Sequence, residues 1–401
     1  MNNLFSNTNQ KTQTGVERIH QLDSLRGIAS FLVLTYHCYL VCPISVQMGL
    51  PIWIRLSPLR VFLGGHMSVI LFFVLSGYVL AIPFLKKSWP PYSAYIIKRV
   101  CRIYIPFAVA IVCAAILYAH SSVPRTDNGS IWWGEAPVTL QTILDHLSMR
   151  GRFSDIWLDG VMWSLIVEMR VSIIFPVLVL LCKSVRFAAL FALATYVIVT
   201  IAIVFTGHDD SYIMSDSIAV SLLLTLRYVP LFMLGIVLAK KNDVIKDWFG
   251  RLSRTKFIVL LGLTLFVLCL PTDIRSHPDF ERILSELFGR GADAVVTFCV
   301  DLCLGLASGF LIVWVRNNHR HKSILDLRMI QWLGNISYSL YLVHLPIAIF
   351  LFRKLYGIFP LVGICCLIVG SSLMVASLFF LTIERPSIYI GKALTAKRQN
   401  A

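Results

Sequence analysis

The chain has 401 residues, 57% of them hydrophobic and only 14% charged, with a mean hydropathy of +0.76 and a formal net charge of +15. That balance excludes an ordinary soluble domain and marks a polytopic membrane protein. It also excludes nucleic acid as the meaning of the basic charge, because Lys and Arg fall in short runs between apolar segments instead of forming one basic domain.

The N-terminal residues 1–23 are polar and carry no apolar core with a small-residue cleavage site, so they read as a cytosolic tail with no removable signal peptide. Apolar stretches long enough to span a bilayer follow at roughly 24–44, 66–86, 103–120, 161–182, 186–206, 217–239, 256–271, 294–315, 334–352 and 359–383. The expected fold is therefore all-α, a membrane bundle of about ten transmembrane helices over 24–386, with a cytosolic tail at 387–401. With ten spans, Lys86, Lys98, Arg99, Arg102, Lys183, Lys240, Arg251, Arg316 and Lys392 all fall on the side of the N-terminus. The opposite loops are mixed or acidic, with Asp127, Glu135, Asp155, Asp159, Asp209 and Asp279. The positive-inside rule then places both termini in the cytosol.

The first span, from Asp23 to Tyr39, carries Arg26 at its start and His37 eleven residues later. Eleven helical steps return the azimuth to within about 20° and lift it about 16 Å, so the two polar groups share a face. With Arg26 at the inner surface, His37 is expected about halfway through a hydrocarbon core about 30 Å thick, where an ionisable group is a functional candidate. An anchoring arginine and a histidine bonded to a neighbouring helix are the structural alternative.

In the second span, Ser76 and Gly77 of Phe72–Tyr78 either let two helices approach closely or leave room for a thin ligand chain. Arg99 and Arg102, three apart before Pro106, present two guanidiniums at the cytosolic boundary. They are suited to phosphate, or to plain positive-inside anchoring. The long outer connection from about 121 to 160 holds Trp132, Trp133 and Trp157, and Asn128-Gly-Ser130 matches a glycosylation acceptor pattern. These tryptophans read as headgroup-level anchors, or as rings that stack on a sugar.

The fourth span opens with Trp163, a candidate interface anchor or substrate contact, and spaces Ser164, Glu168 and Ser172 by four along one face. An intramembrane carboxylate such as Glu168 needs a partner or a task, and Arg170, on a different face, needs a partner elsewhere. Arg227 and Asp301 are expected to pair with each other. The ninth span places Ser337, Tyr341 and His344 on one inward stripe, with His344 as a hydrogen-bond partner, and Glu384-Arg385-Pro386 reads as the end of the tenth. The ten cysteines have no framework or metal-ligand spacing and read as free core residues; no metal site is expected.

Arg26 with His37, Phe72–Tyr78, Arg99 with Arg102, Trp163–Glu168 and Ile336–His344, in this order from about residue 20 to 386, resemble the membrane acyltransferase-3 family. That family includes bacterial O-acetyltransferases of lipopolysaccharide, exopolysaccharide and Nod factors, and macrolide acyltransferases. The glutamate is followed here by Met169-Arg170, where many relatives have an acidic or aromatic residue. The resemblance implies an inner (plasma) membrane enzyme that moves an acyl group, usually acetyl, from cytosolic acyl-CoA to a hydroxyl of a glycan or lipid-linked saccharide, without metal.

The implied roles are His37 as base or acyl carrier, Arg26 holding the donor, and Glu168 orienting acceptor or imidazole. Arg99, Arg102, Ser76 and Gly77 would take the CoA arm, and Trp163, Ser164, Tyr341 and His344 the acceptor. A polytopic transporter of a small polar or glycolipid substrate is the alternative, since polar stripes inside a bundle also suit a carrier.

Overall fold

The computed structural model describes residues 20–49, 54, 57–121, 138–206, 216–269, 292–317 and 324–396. Trp132, Trp133, the Asn128 motif and most acidic residues of the outer loops lie outside the described residues.

The described chain is helical. In order the helices are α1 (His20–Leu40), α2 (Ile44–Met48), α3 (Gly65–Phe84), α4 (Tyr92–Ala119), α5 (Leu140–Leu147), α6 (Met162–Leu181) and α7 (Val185–Thr206). They continue with α8 (Ile218–Lys240), α9 (Asn242–Arg251), α10 (Arg254–Leu268), α11 (Ala292–Asn317), α12 (Arg328–Leu355), α13 (Leu361–Phe379) and α14 (Arg385–Ala396). Eight helical stretches are long and apolar enough to cross a membrane. With α1 and the 15-residue α10 they account for the ten expected spans, so the protein is a polytopic membrane helix bundle. Hydroxyl caps start several of these helices: Ser217 accepts from the Val220 amide of α8, and Ser253 from the Lys256 amide of α10. Each side-chain oxygen thereby satisfies an orphan amide of the first turn.

Two apolar cores flank α1. Leu22, Leu25 and Leu32 pack with α3, α6 and α8, whereas Val33, Leu34 and Cys38 pack with α4 and α12. Glycines bring these helices to backbone contact. A methyl group on Gly27 would collide with the Gly334 amide, and one on Gly334 with the Asp23 carbonyl, so α1 and α12 cross backbone to backbone. Gly77 and Gly235 do the same for α3 and α8. The space beside Gly77 is filled by the Phe232 carbonyl, which corrects the expectation of a ligand channel there: the close-approach reading holds.

Two further expectations are corrected. Pro386 does not end the last span. A π-helical turn at Phe380–Glu384 widens the backbone just before it, and the chain runs on into α14. Such a turn relieves the clash a proline makes with the preceding turn. The cysteines are free, but Cys113, Cys299, Cys303 and Cys366 are exposed on the outside of the bundle rather than in its core.

Candidate active site

His37 lies in the last turn of α1, three residues before the helix ends at Leu40. It sits under a 3-10 turn at Pro58–Leu63 whose Phe62 carbonyl accepts from Thr35, at the level of His344 in the middle of α12. His37 Nδ1 is 2.9 Å from the Val33 carbonyl and 3.1 Å from Nε2 of His344, and the two imidazole centroids are 5.0 Å apart. A carbonyl can only accept, so His37 carries its proton on Nδ1. His344 Nδ1, 2.9 Å from the Leu340 carbonyl, is a donor by the same argument, and its Nε2 accepts from His37. The pair thus assigns a lone pair to Nε2 of His37. His344 is fully buried; His37 keeps partial exposure.

The stripe of α12 continues inward as expected. Ser337, Tyr341 and His344 are all buried, and the Tyr341 hydroxyl lies 2.7 Å from that of Ser164 on α6. Trp163 turns inward too, into an aromatic cluster with Tyr228 (5.5 Å) and Phe73 (6.2 Å), which corrects the headgroup-anchor reading. Trp157 packs edge-on against Tyr118 and His146.

A second polar cluster joins α3, α4 and α6. Arg99 is buried and donates to Glu168 (2.7 Å) and to Ser172 (3.1 Å), while Ser76 donates to the same Glu168 oxygen at 3.2 Å. Glu168 is therefore held by Arg99 and Ser76; orientation of the imidazole falls to His344. Arg102, one turn along α4, is exposed and lies within electrostatic reach of Arg26, Arg99, Glu384 and Asp23. Arg26 stands 3.5 Å from Asp23 and senses Glu168 and Glu384. Of the two arginines assigned to the CoA arm, Arg102 is exposed, whereas Arg99 is committed to Glu168 and Ser172 inside the protein.

Sequence reasoning missed three members of this region. Glu384 is buried in the π turn and accepts from Ser339 at 2.5 Å. Tyr338 donates to the Ile103 carbonyl between the inner charges. His66, at the outer end of α3, meets Asp301 at 2.6 Å. The expected Arg227–Asp301 pair is present at 2.9 Å, and His66 completes it. The signal for Glu384 was a carboxylate beside a proline in an otherwise apolar span. Arg170 donates to neutral partners, namely Ser221, Thr225 and the Arg150 carbonyl. Gly151, at φ +74, lets that carbonyl segment approach, since a side chain there would strike Ser221.

A cavity of about 210 Å³ opens at the inner ends of α3, α8 and α11, lined by Tyr78, Lys240, Asn242 and Arg316; it shares no residue with the histidine site. Among the described residues no group of His, Cys, Asp and Glu side chains could hold a metal ion.

The chain belongs to the acyltransferase-3 family: the family model, described as an acyltransferase domain, matches residues 19–383. No curated protein and no solved structure matches the chain. The protein is thus a membrane-embedded acyltransferase, and the family implies an acyl-CoA-like donor.

Proposed function

We propose that the protein transfers an acyl group from cytosolic acyl-CoA to a hydroxyl group of a cell-surface glycan or lipid-linked saccharide, with His37 as the general base. The observation that carries this reading is the contact between His37 and His344, because it leaves the basic nitrogen of His37 on the side away from its helix carbonyl. In the reaction the acceptor hydroxyl gives its proton to Nε2 of His37 and its oxygen bonds to the thioester carbon. The carbon–sulfur bond then breaks, and the CoA thiolate takes the proton from the imidazolium. His344 Nε2 accepts from Nδ1 throughout and spreads the charge that develops on His37.

The donor enters from the cytosolic side. Arg102, exposed and in reach of Arg26, offers guanidinium forks to the CoA phosphates. Arg99, Glu168 and Ser76 hold the inner wall in place.

The test is to incubate membranes bearing the wild type or His37→Ala with acetyl-CoA labelled in the acetyl group, then separate glycan and lipid fractions. Label is expected in one fraction with the wild type and in none with the variant, at equal amounts of inserted protein. Wild-type transfer by His37→Ala overturns the reading.

A further inference from the structure

Three residues ahead of α6, in the outer segment that leads into it, Asp159 has no exposed surface. Neither of its carboxyl oxygens makes a well-formed hydrogen bond among the described residues; the Val161 amide, two residues on, reaches the carboxyl only weakly. The contrast with its neighbour is informative. Asp155, one turn earlier and equally buried, takes two hydrogen bonds of 2.9 Å from Arg152 and an ion pair from Arg150. Asp159 receives neither arginine, although both stand within ten residues of it.

Its backbone leaves it no freedom to turn away. The Asp159 amide donates to the Ile156 carbonyl, and its own carbonyl accepts from the Met162 amide, so the residue is fixed in the tight turn that starts α6. Apolar residues surround it in sequence and in space, with Ile156, Leu158, Val161 and Met162 all buried. Burial holds its carboxyl well above the usual carboxylate range. A polar group buried without a partner costs free energy, and native structures seldom keep one unless a ligand or a task supplies the partner.

The surroundings say which ligand. Asp159 lies within electrostatic reach of Tyr341, whose hydroxyl meets Ser164 and whose ring centroid is 5.9 Å from that of His344, the partner of His37. The Tyr341 hydroxyl lies 3.4 Å and that of Ser164 3.0 Å from the carbonyl of Val161, two residues after Asp159, so the carboxyl stands close in the chain to the hydroxyl pair that adjoins the imidazoles. A protonated carboxyl group offers one O–H donor and an accepting oxygen, and a sugar hydroxyl, which both donates and accepts, matches them.

We propose that Asp159 binds the acceptor: its carboxyl group hydrogen-bonds one hydroxyl of a polyhydroxylated substrate, a saccharide or polyol, while a neighbouring hydroxyl is presented to His37. This rests on the O-acyltransferase reading above and adds to it the residue that selects the acceptor.

The experiment uses the full-length protein with Asp159→Asn and Asp159→Leu. In detergent, without substrate, the thermal unfolding midpoint of both variants is expected to stay near that of the wild type, because the Val161 amide ties the carboxyl only weakly. A clear fall in the midpoint of both would make Asp159 a structural residue and overturn the proposal. In native membranes with labelled acetyl-CoA, label transfer to the glycan or lipid fraction is expected to fall about tenfold or more in both variants, the loss of a hydrogen bond to a polar or charged partner. The stabilisation of the purified variants by acetyl-CoA should match that of the wild type. Free D-glucose or glycerol in excess is expected to compete with the native acceptor in the wild type, and n-butanol is not. Variants that transfer label as well as the wild type overturn this proposal alone. A wild type that transfers no label overturns the acyltransferase reading itself, and the acceptor site with it.

Discussion

Nε2 of His344 lies 3.1 Å from Nδ1 of His37, and each histidine stands ten residues beyond the glycine, Gly334 or Gly27, at which its helix meets the other. Equal offsets in the same direction mean that α1 and α12 run parallel in one register over about 15 Å. The glycine crossing therefore sets the distance between the imidazoles. Replacing Gly27 with Leu is expected to push the helices apart and to abolish transfer even though the substitution lies far from the reacting atoms. Transfer assays on the inserted variant check this, and full activity would show that the crossing does not position the pair.

His344 is a positioning residue in this scheme. His344→Ala should lower kcat about 10–100-fold, the range expected when a base loses its orientation, while leaving KM for acetyl-CoA within about twofold. His37→Ala should leave no transfer. The ratio of the two effects, measured under saturating donor, distinguishes the base from the group that holds it.

The two arginines of α4 should part company when mutated. Arg102→Ala is expected to raise KM for acyl-CoA about tenfold, with an effect that shrinks at high salt, as for an exposed cation that meets phosphate. Arg99→Ala leaves Glu168 without its cation in the bundle interior, and should cost on the order of 3 kcal/mol, read as a lower unfolding midpoint. Donor titrations and thermal unfolding of each variant check both outcomes.

His146 on α5 predicts acid sensitivity on the outer side. Its Nδ1–H donates to the Thr142 carbonyl at 2.7 Å, and its Nε2 accepts from the Leu158 amide at 3.2 Å, an arrangement that only the neutral ring can make. Burial holds its pKa below the ordinary histidine value, against the pull of Asp145 and Asp155. A depressed folded-state pKa contributes stability that is present above the unfolded value, about 6.5, and is lost as pH falls through the folded one. The unfolding midpoint of the wild type should drop on acidification below about pH 6.5, and His146→Gln should lose part of that dependence. A variant with an unchanged pH profile would remove His146 as its source.

The inner core offers a control on helix packing. Gly77→Val would drive a side chain into the Phe232 carbonyl, and it should lower the unfolding midpoint sharply or prevent insertion. Ser76→Ala removes only one hydrogen bond to Glu168, worth about 1 kcal/mol, and should fold normally.

The sequence by itself determined the class of the protein. Lipid admits only long apolar helices with few charges, so hydropathy located all ten spans, although α4 starts at Tyr92, well before the apolar stretch expected from about 103. The ordered motifs pointed to the family that the comparison then established. The spacing of Ser337, Tyr341 and His344 was enough to place them on one inward face. Which charges meet was another matter. Arg99 turned from a surface fork into the partner of Glu168, Gly77 from a channel into a packing contact, and Asp159 from one loop charge among several into a buried carboxyl without a well-formed hydrogen bond among the described residues. Those outcomes depend on how helices hundreds of residues apart in the chain cross and rotate. Periodicity tells which residues share a face, but only the backbone contacts at glycines decide what that face meets.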